Sequence, residues 1–285
     1  MRLFCFGYGY TASRLAALLR PEGWSVAGTC RDPVKQADLP AAGVEPFSFP
    51  LADAATALAG ATHILLSVPP DAARDSGGDP VLRQHGADIA ALRGKLLWLG
   101  YLSTTGVYGD RDGAWVDETS AVAPTGERGQ RRAAAEAAWV AFAESHDLPL
   151  QRFRLPGIYG PGRSAIDGLR AGTQQRIDKP GQVFSRIHVD DLAMVLAASM
   201  RQPRAGAIYN VADDEPAASA EVAAYGASLL GIEPPPLVPF DSAKLSPMAR
   251  SFYAENKRVG NALIKSELGV RLKYPTYREG LAACL

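Results

Sequence analysis

Residues 2–19, RLFCFGYGYTASRLAALL, decide the fold of this chain. They begin with an unbroken apolar run, Leu3 to Phe6, which is typical of a strand buried on both faces of a parallel sheet. Gly7, Gly9 and Ala12 follow with G-x-G-x-x-A spacing, and an Ala- and Leu-rich segment then predicts a helix. A strand, a turn and a helix in this order leave free backbone N–H groups at the helix start, where the helix dipole favours an anion.

The glycine spacing predicts a binding site for a dinucleotide. Gly7 and Gly9 would let a pyrophosphate approach the backbone, and Ala12 would keep the helix close to the strand. Tyr10, at the helix start, belongs to the same candidate cofactor site. The alternative is a glycine turn without a ligand. The position of the motif between a buried strand and a helix favours the dinucleotide.

Composition excludes several classes of protein. Thirty basic and thirty acidic residues cancel in this 285-residue chain, so charge gives no reason to expect nucleic acid or an anionic membrane as partner. No apolar run approaches the ~20 residues of a membrane span, and the N-terminal residues lack a signal-peptide layout. The three cysteines and four histidines show no metal-ligand spacing. We expect a cytoplasmic protein without a metal, a monomer or homodimer that binds a small-molecule substrate.

The rest of the chain alternates strands with helices, which predicts an α/β fold with a Rossmann-type, doubly wound parallel sheet. The predicted strands are 24–30, 44–49, 63–68, 95–102, 150–154 and 207–211, and the main predicted helices are 54–59, 81–93, 129–146 and a segment ending at 200. The tail around 256–268 also has helical spacing. We expect a dinucleotide-binding domain, residues 1–162 with 182–212, and a small C-terminal substrate domain, residues 163–181 with 213–285.

The end of the second predicted strand bears on the choice of cofactor. A NAD site usually has an acidic residue there, which holds the ribose hydroxyls. This chain has Cys30 at that place, then Arg31, with Lys35 four residues further on. Because a guanidinium suits phosphate oxygens, Arg31 and Lys35 favour NADP, with NAD still possible. The alternative is that Arg31 is a solvated surface residue.

The stretch YLSTTGVYG, residues 101–109, supplies hydroxyl groups at the carboxyl end of a central strand. Ligands of open α/β sheets bind in the crevice at this end. Ser103 is therefore a candidate cofactor contact, Thr104 a catalytic candidate and Thr105 a candidate substrate contact. Hydrogen bonding to the local backbone is the alternative role for these side chains.

Five motifs occur in an order that resembles a known family. They are the glycine motif, STTGVYG at 103–109, RLPGIYGPGR at 154–163, IHVDDLA at 187–193 and YNVAD at 209–213. Together they resemble an extended short-chain dehydrogenase/reductase, the NAD-dependent epimerase/dehydratase group, over nearly the whole chain. The resemblance implies a nucleotide sugar or a similar small molecule as substrate. The remaining candidate contacts are Ser67, Val68 and Pro156 for the cofactor, and Tyr108, Tyr159, Arg163 and His188 for the substrate.

The family's catalytic Tyr-x-x-x-Lys is absent from its expected place. By alignment Thr104 takes the family's Ser/Thr position, but PTGERGQRR at 124–132 puts Arg128 and Arg132 where the family has Tyr and Lys. Arginine stays charged and cannot deliver a proton. Arg128 and Arg132 could instead clamp a carboxylate or phosphate, or they could belong to a solvated helix face.

Two classes of function stay open at this point. One is a NADP-dependent oxidoreductase or epimerase-like enzyme with a rearranged proton donor, which would be water, His188, Tyr108 or Tyr159. The other is a NADP-binding protein without turnover, which senses redox state or holds a partner. The retained Thr104 favours the enzyme, and the lost Tyr and Lys favour the binder.

Overall fold

The computed structural model describes residues 1–73 and 75–285. Its strands are β1 (Arg2–Phe6), β2 (Ser25–Cys30), β3 (Glu45–Ser48), β4 (His63–Leu66), β5 (Trp98–Thr104), β6 (Trp115–Val116), β7 (Leu150–Leu155), β8 (Gly157–Tyr159), β9 (Arg176–Asp178), β10 (Arg186–His188), β11 (Ile208–Asn210), β12 (Leu237–Pro239) and β13 (Arg258–Val259). Its helices are α1 (Tyr10–Leu19), α2 (Pro33–Asp38), α3 (Ala54–Ala57), α4 (Pro80–Ala90), α5 (Glu127–His146), α6 (Ala165–Arg170), α7 (Val189–Arg201), α8 (Ser219–Leu230), α9 (Pro247–Phe252), α10 (Ala262–Ser266) and α11 (Tyr277–Ala282).

Seven parallel strands form the central sheet, in the order β11-β7-β5-β4-β1-β2-β3. From β1 the chain proceeds outward through β2 and β3, then returns to build the other half from β4. The switch point therefore lies between β1 and β4, where open α/β sheets bind ligands at the carboxyl ends of their strands. The predicted α/β class and Rossmann-type sheet are confirmed.

The two faces of the sheet are covered by separate apolar layers because side chains alternate along a strand. Leu3 and Cys5 of β1 pack in the layer that contains α1 and α7. Phe4 and Phe6 pack in the opposite layer, against α4 and α5. All four side chains are buried, and burying an apolar side chain of this size contributes about 1.5–3 kcal/mol. This double burial explains why β1 has no polar residue after Arg2.

The C-terminal tail differs from its predicted helix over 256–268. Residues 258–259 instead form β13, which pairs with β6, and the helix α10 covers only Ala262–Ser266. The backbone N–H groups of Arg258 and Gly260 donate to the carbonyls of Ala114 and Val116, at 2.9 and 2.8 Å. Pairing with a segment about 140 residues away in the chain has overridden the local helical preference.

Several predicted elements shift by a few residues at their ends, two of them next to the candidate site. The strand predicted to end at 102 continues to Thr104, and the helix predicted from 129 begins at Glu127. Ser103 and Thr104 are therefore the last residues of β5. None of the helices in residues 1–73 and 75–285 combines the length and the apolar character needed to cross a membrane.

Candidate functional site

The two glycines between β1 and α1 have different surroundings. Gly7 has φ +88°, and a Cβ there would lie 3.2 Å from Cγ2 of Val68 and 3.3 Å from the backbone carbon of Ser67. Its N–H donates to Oγ1 of Thr29 at 2.8 Å, which fixes the turn against β2. Among the residues that the structure describes, no heavy atom lies within 4 Å of the Cβ position of Gly9. Gly7 is thus required by the turn and by its contact with the end of β4, whereas the space beside Gly9 is open.

Helix α1 presents an uncapped N-terminus to this open space. Gly9 is its N-cap and offers no side chain to accept a hydrogen bond, and the first turn carries no acidic residue. Ala12 is buried against the layer that contains Leu3, so the helix lies close to its strand. The N–H groups of the first turn and the positive end of the helix dipole therefore favour an anion here.

Parallel pairing brings the predicted cofactor contacts to one edge of the sheet. Phe6 pairs with Leu66 in β4, Leu66 pairs with Tyr101 in β5, and Thr104 pairs with Leu155 in β7. The residues that follow or end these strands thus share the edge with the glycine turn. They are Ser67, Val68, Ser103 and Pro156.

The turn after β2 leaves two cations without partners. Arg31 and Lys35 are exposed and bond to no other residue in the part of the chain that the structure describes. The carboxylate nearest the strand end, Asp32, caps α2 by accepting from the N–H of Val34 at 3.0 Å. Capping occupies one oxygen of Asp32, and among the described residues Arg31 and Lys35 at this turn form no ion pair.

The three hydroxyl residues at the end of β5 have different environments. Oγ1 of Thr104 accepts a hydrogen bond from the N–H of Gly106 at 3.1 Å, which leaves the hydroxyl hydrogen available for donation. Ser103 is buried and donates to the carboxylate of Glu136 in α5. Thr105 is also buried. Thr104 is therefore the hydroxyl residue of this group with both exposure and a free hydrogen.

A buried ion pair connects α5 with β7 behind this strand end. Nε and Nη2 of Arg154 donate to the two carboxylate oxygens of Glu136, at 3.2 and 2.8 Å. The guanidinium also lies 4.9 Å from the ring centroid of Tyr108, whose hydroxyl donates to Oδ1 of Asn210 at 2.7 Å. Glu136 was not singled out from the sequence. Two features of the sequence indicate such a pair. Glu136 lies four residues after Arg132 on the predicted helix, and Arg154 lies in a predicted buried strand, where its charge needs a partner.

The predicted proton donors are buried. Tyr108 is fully buried, and desolvation raises its pKa. Tyr159 is nearly buried, its hydroxyl donates to the carbonyl of Thr276 at 3.4 Å, and desolvation raises its pKa as well. Neither tyrosine therefore has the surface access and lowered pKa that a proton donor in the crevice needs.

His188 is also buried, between the rings of Tyr159 and Tyr274. Desolvation lowers its pKa to about 4, and Nδ1 accepts from the N–H of Asp190 at 3.2 Å. His188 is therefore neutral near pH 7, with its hydrogen on Nε2. The role of proton donor, which the sequence left open for His188, does not fit this environment.

Arg132 and Arg128 occupy different places on α5. Nη1 of Arg132 donates to the carbonyl of Leu102 at 2.8 Å and to the hydroxyl of Tyr101 at 3.1 Å, which holds this half-buried side chain against β5. Arg128 is exposed, and its Cζ lies 5.0 Å from the ring centroid of Phe252, a residue that the sequence did not single out. The two guanidiniums are thus held separately, one by the sheet and one by the C-terminal part of the chain.

Arg163, which we expected at the substrate, lies beside the start of α1. Its Cζ is 5.9 Å from the ring centroid of Tyr10, and the hydroxyl of Tyr10 donates to the carbonyl of Pro161 at 3.1 Å. The loop around 161–163 therefore contacts the helix whose N-terminus favours an anion. This position puts Arg163 next to the candidate cofactor site.

The sheet order, the switch point and the glycine turn define a Rossmann-type α/β protein. Residues 89–212 match the model of the NAD-dependent epimerase/dehydratase family. The match to this family is thus shown for residues 89–212 of the chain.

Three similar proteins extend over nearly the whole chain. A functionally unknown conserved protein from Silicibacter pomeroyi is 55% identical, with a TM-score of 0.91 over 99% of this chain and 97% of that one. Protein YeeZ of Escherichia coli K12 is 28% identical over 94% of each chain. The UDP-glucuronic acid 4-epimerase of Bacillus cereus in complex with NAD has the same fold, with 15% identity and a TM-score of 0.78 over 99% of this chain and 97% of that one.

Proposed function

We propose that this protein is a NADP-preferring oxidoreductase or epimerase-like enzyme that acts on a small substrate carrying a carboxylate or phosphate. The observation that carries the proposal is the open space beside Gly9, in front of an uncapped helix at the switch point of the sheet. This shape and its N–H groups fit a pyrophosphate. A bound nicotinamide would supply the hydride that is given to or taken from the substrate.

The preference for NADP is supported by the turn after β2. Arg31 and Lys35 are exposed and unpaired there, and Asp32 uses an oxygen to cap α2. A 2′-phosphate would find two cations at this position. The epimerase of Bacillus cereus was solved with NAD, so the proposal assigns this chain a preference that differs from the cofactor in that structure.

Thr104 and Arg132 are the groups we propose to act on the substrate. Thr104 can donate its hydroxyl hydrogen to a substrate oxygen, because its own acceptor position is used by Gly106. Arg132, held at the same strand end, can stabilise negative charge that develops on that oxygen but cannot deliver a proton. With Tyr108, Tyr159 and His188 buried, we assign the proton to solvent water, and the missing positioned acid lowers the rate by about 10²- to 10⁴-fold.

The cofactor side of the proposal is tested by calorimetric titration of NADPH and NADH. We expect NADPH to bind more tightly, because charge-assisted contacts to a phosphate contribute about 1.5–3 kcal/mol. Arg31→Ala should weaken NADPH binding and leave NADH binding unchanged. Arg93→Ala is the matched control, since Arg93 is an exposed arginine after α4 that pairs with Asp147. Equal affinities for the two cofactors, or an Arg31→Ala variant with unchanged NADPH binding, would contradict the preference.

The catalytic side is tested by following NADPH oxidation with carbonyl compounds that carry a carboxylate or phosphate. Thr104→Val should lower turnover while NADPH affinity stays at the wild-type value. The two arginines at the Tyr and Lys positions favour a second candidate, a NADPH-binding protein without turnover. Tight NADPH binding with no consumption by any of these compounds would select that second candidate.

A further inference from the structure

Arg128 has hydrogen-bond donors that the fold does not use. Its Cζ lies over the ring of Phe252, the last residue of α9, at 5.0 Å from the ring centroid. The N–H groups of a guanidinium lie in its own plane, where they can meet a planar anion. Among the residues that the structure describes, none accepts a hydrogen bond from Arg128, whereas Arg132 one turn further on bonds to Leu102 and Tyr101.

The acidic groups around Arg128 are engaged with other cations. Glu127, its neighbour in the chain, pairs with Arg131. Glu255 pairs with Lys257 at 2.6 Å and also accepts from the hydroxyl of Thr125 at 3.0 Å. Among the described residues Arg128 therefore has neither a counter-ion nor a hydrogen-bond acceptor, whereas Arg132 lacks a counter-ion but has two acceptors, and the free donors of Arg128 favour an anionic ligand.

The chain that follows Phe252 is anchored by hydrogen bonds. The carbonyl of Asn256 accepts from the N–H groups of Arg111 and Gly113, each at 3.0 Å, and Lys257 donates to the carbonyl of Gly109 at 2.7 Å. These bonds tie residues 256 and 257, which lie four and five residues after the end of α9, to the loop that follows β5. Phe252 is therefore presented to α5 by a fixed segment.

The first turn of α5 lies directly against the turn that contains Thr104. A Cβ added at Gly129 would lie 2.6 Å from the carbonyl oxygen of Gly106, and the N–H of Gly106 donates to Thr104. Arg128 is the residue next to Gly129. A substrate whose anionic group is bound by Arg128 would therefore lie near the end of β5.

We propose that Arg128 and Phe252 form an anion subsite, in which Arg128 binds a carboxylate or phosphate of the substrate and Phe252 is the positioning residue that holds the guanidinium. The subsite rests on the proposed function, because it assumes that the crevice at Thr104 takes a substrate. A tyrosine at the position of Arg128 would transfer a proton. The arginine of the subsite recognises the charge of the substrate instead. Arg128, held by the aromatic residue from the C-terminal part, then selects substrates by their anionic group.

The subsite is tested by titrating inorganic phosphate into the NADPH-saturated protein and following the melting temperature. We expect phosphate to stabilise the wild type, and Arg128→Gln to weaken its apparent affinity about tenfold, equivalent to about 1.4 kcal/mol. Arg131→Gln, on the same helix but paired with Glu127, is the control and should behave as wild type. No phosphate response in the wild type, or equal responses in the wild type and Arg128→Gln, would overturn the subsite.

The positioning role is tested separately at Phe252. Phe252→Leu should weaken the phosphate response about threefold, and Phe252→Trp should restore it, because an indole face also holds a guanidinium. A purely structural role would change the melt of the ligand-free protein and would not follow aromaticity. Unchanged phosphate affinity in Phe252→Leu would exclude the positioning role. If the wild type fails to bind NADPH, the proposed function fails, and the same variants titrated with phosphate alone still decide the subsite.

Discussion

At the scale of single residues, Gly7 and Gly9 are glycines for different reasons. Gly7 has a positive φ, and a Cβ there would contact Val68 and the backbone of Ser67. Gly9 has an extended φ of −118° and open space around its Cβ position. A side chain at Gly9 therefore fits the folded chain without strain. It would interfere only with a ligand that binds in the open space.

Gly9→Val is predicted to abolish dinucleotide binding without loss of stability. The variant should melt within a few degrees of the wild type and show no heat of NADPH binding, because the valine fills the space in front of α1. Gly7→Val is the contrasting variant and should lower the melting temperature, since it places a β-branched residue at a positive φ. NADPH binding by Gly9→Val at wild-type affinity would show that this turn does not hold the cofactor.

Asp213 is predicted to make stability depend on pH. This buried carboxyl has no partner for Oδ2 among the described residues, and desolvation raises its pKa to about 8, against the opposing charge of Arg186. The folded state therefore keeps a proton that the unfolded state has lost above its ordinary value of 3.8. The free energy of unfolding should fall as the pH rises between about 4 and about 8.

Urea unfolding of the wild type and of Asp213→Asn at pH 5, 6, 7 and 8 measures this dependence. The neutral amide removes the titration, so Asp213→Asn should lose less stability than the wild type as the pH rises. Parallel curves for the two proteins would show that Asp213 is ionised in the folded state throughout this range.

At the scale of elements, the Glu136–Arg154 pair fixes α5 to β7 and β5. Both side chains are buried, and Glu136 also accepts from Ser103. Removing one partner of such a pair leaves an uncompensated charge, which costs about 3–5 kcal/mol. Through this helix the pair also determines where Arg132 stands, although neither side chain faces the crevice.

Glu136→Ala is accordingly predicted to destabilise the protein by about 3–5 kcal/mol. Glu144→Ala, on the exposed side of the same helix, should change stability by at most about 0.5 kcal/mol. The double variant Glu136→Ala with Arg154→Met should be more stable than the sum of the two single changes, because Arg154 no longer leaves a buried charge and only the half-buried Arg152, 3.8 Å from Glu136, loses its partner. Additive effects in urea unfolding would mean that the pair does not act as a unit.

The elements that were predictable from the sequence are those that local pattern determines. β1 and α1 follow from an apolar run, two glycines and a helical spacing within 20 residues, all of which persist in the structure. β13 and the shortened α10 depend on pairing with residues 114–116, which no local pattern contains. Local pattern was equally limited at the candidate site. It placed Thr104 at the end of a strand, but it could not show that Tyr108 and His188 are buried or that Arg128 contacts Phe252, because these features depend on segments far apart in the chain.

At the scale of the whole molecule, the C-terminal residues return to the core of the central sheet. Ile264, Leu268 and Val270 belong to the same apolar layer as Leu3. The carboxylate of Asp191 in α7 also accepts from the N–H groups of Lys273 and Tyr274, at 2.7 and 3.0 Å. The sequence predicted that all of residues 213–285 belong to the substrate domain. We propose instead that residues 262–272 belong to the dinucleotide-binding domain.

Ile264→Ala is predicted to weaken the whole protein as one unit. Ile264 is fully buried in the layer that also contains Leu3, and replacing a buried isoleucine by alanine costs about 2–5 kcal/mol. Ile232→Ala is the control, because Ile232 is 46% exposed and an exposed substitution costs at most about 0.5 kcal/mol. Urea unfolding followed by circular dichroism and by tryptophan fluorescence should show one transition that shifts together in Ile264→Ala, since Trp98 lies in the same layer. If the tail instead formed a separate substrate domain, Ile264→Ala would shift part of the circular dichroism transition and leave the fluorescence of the sheet core at its wild-type midpoint.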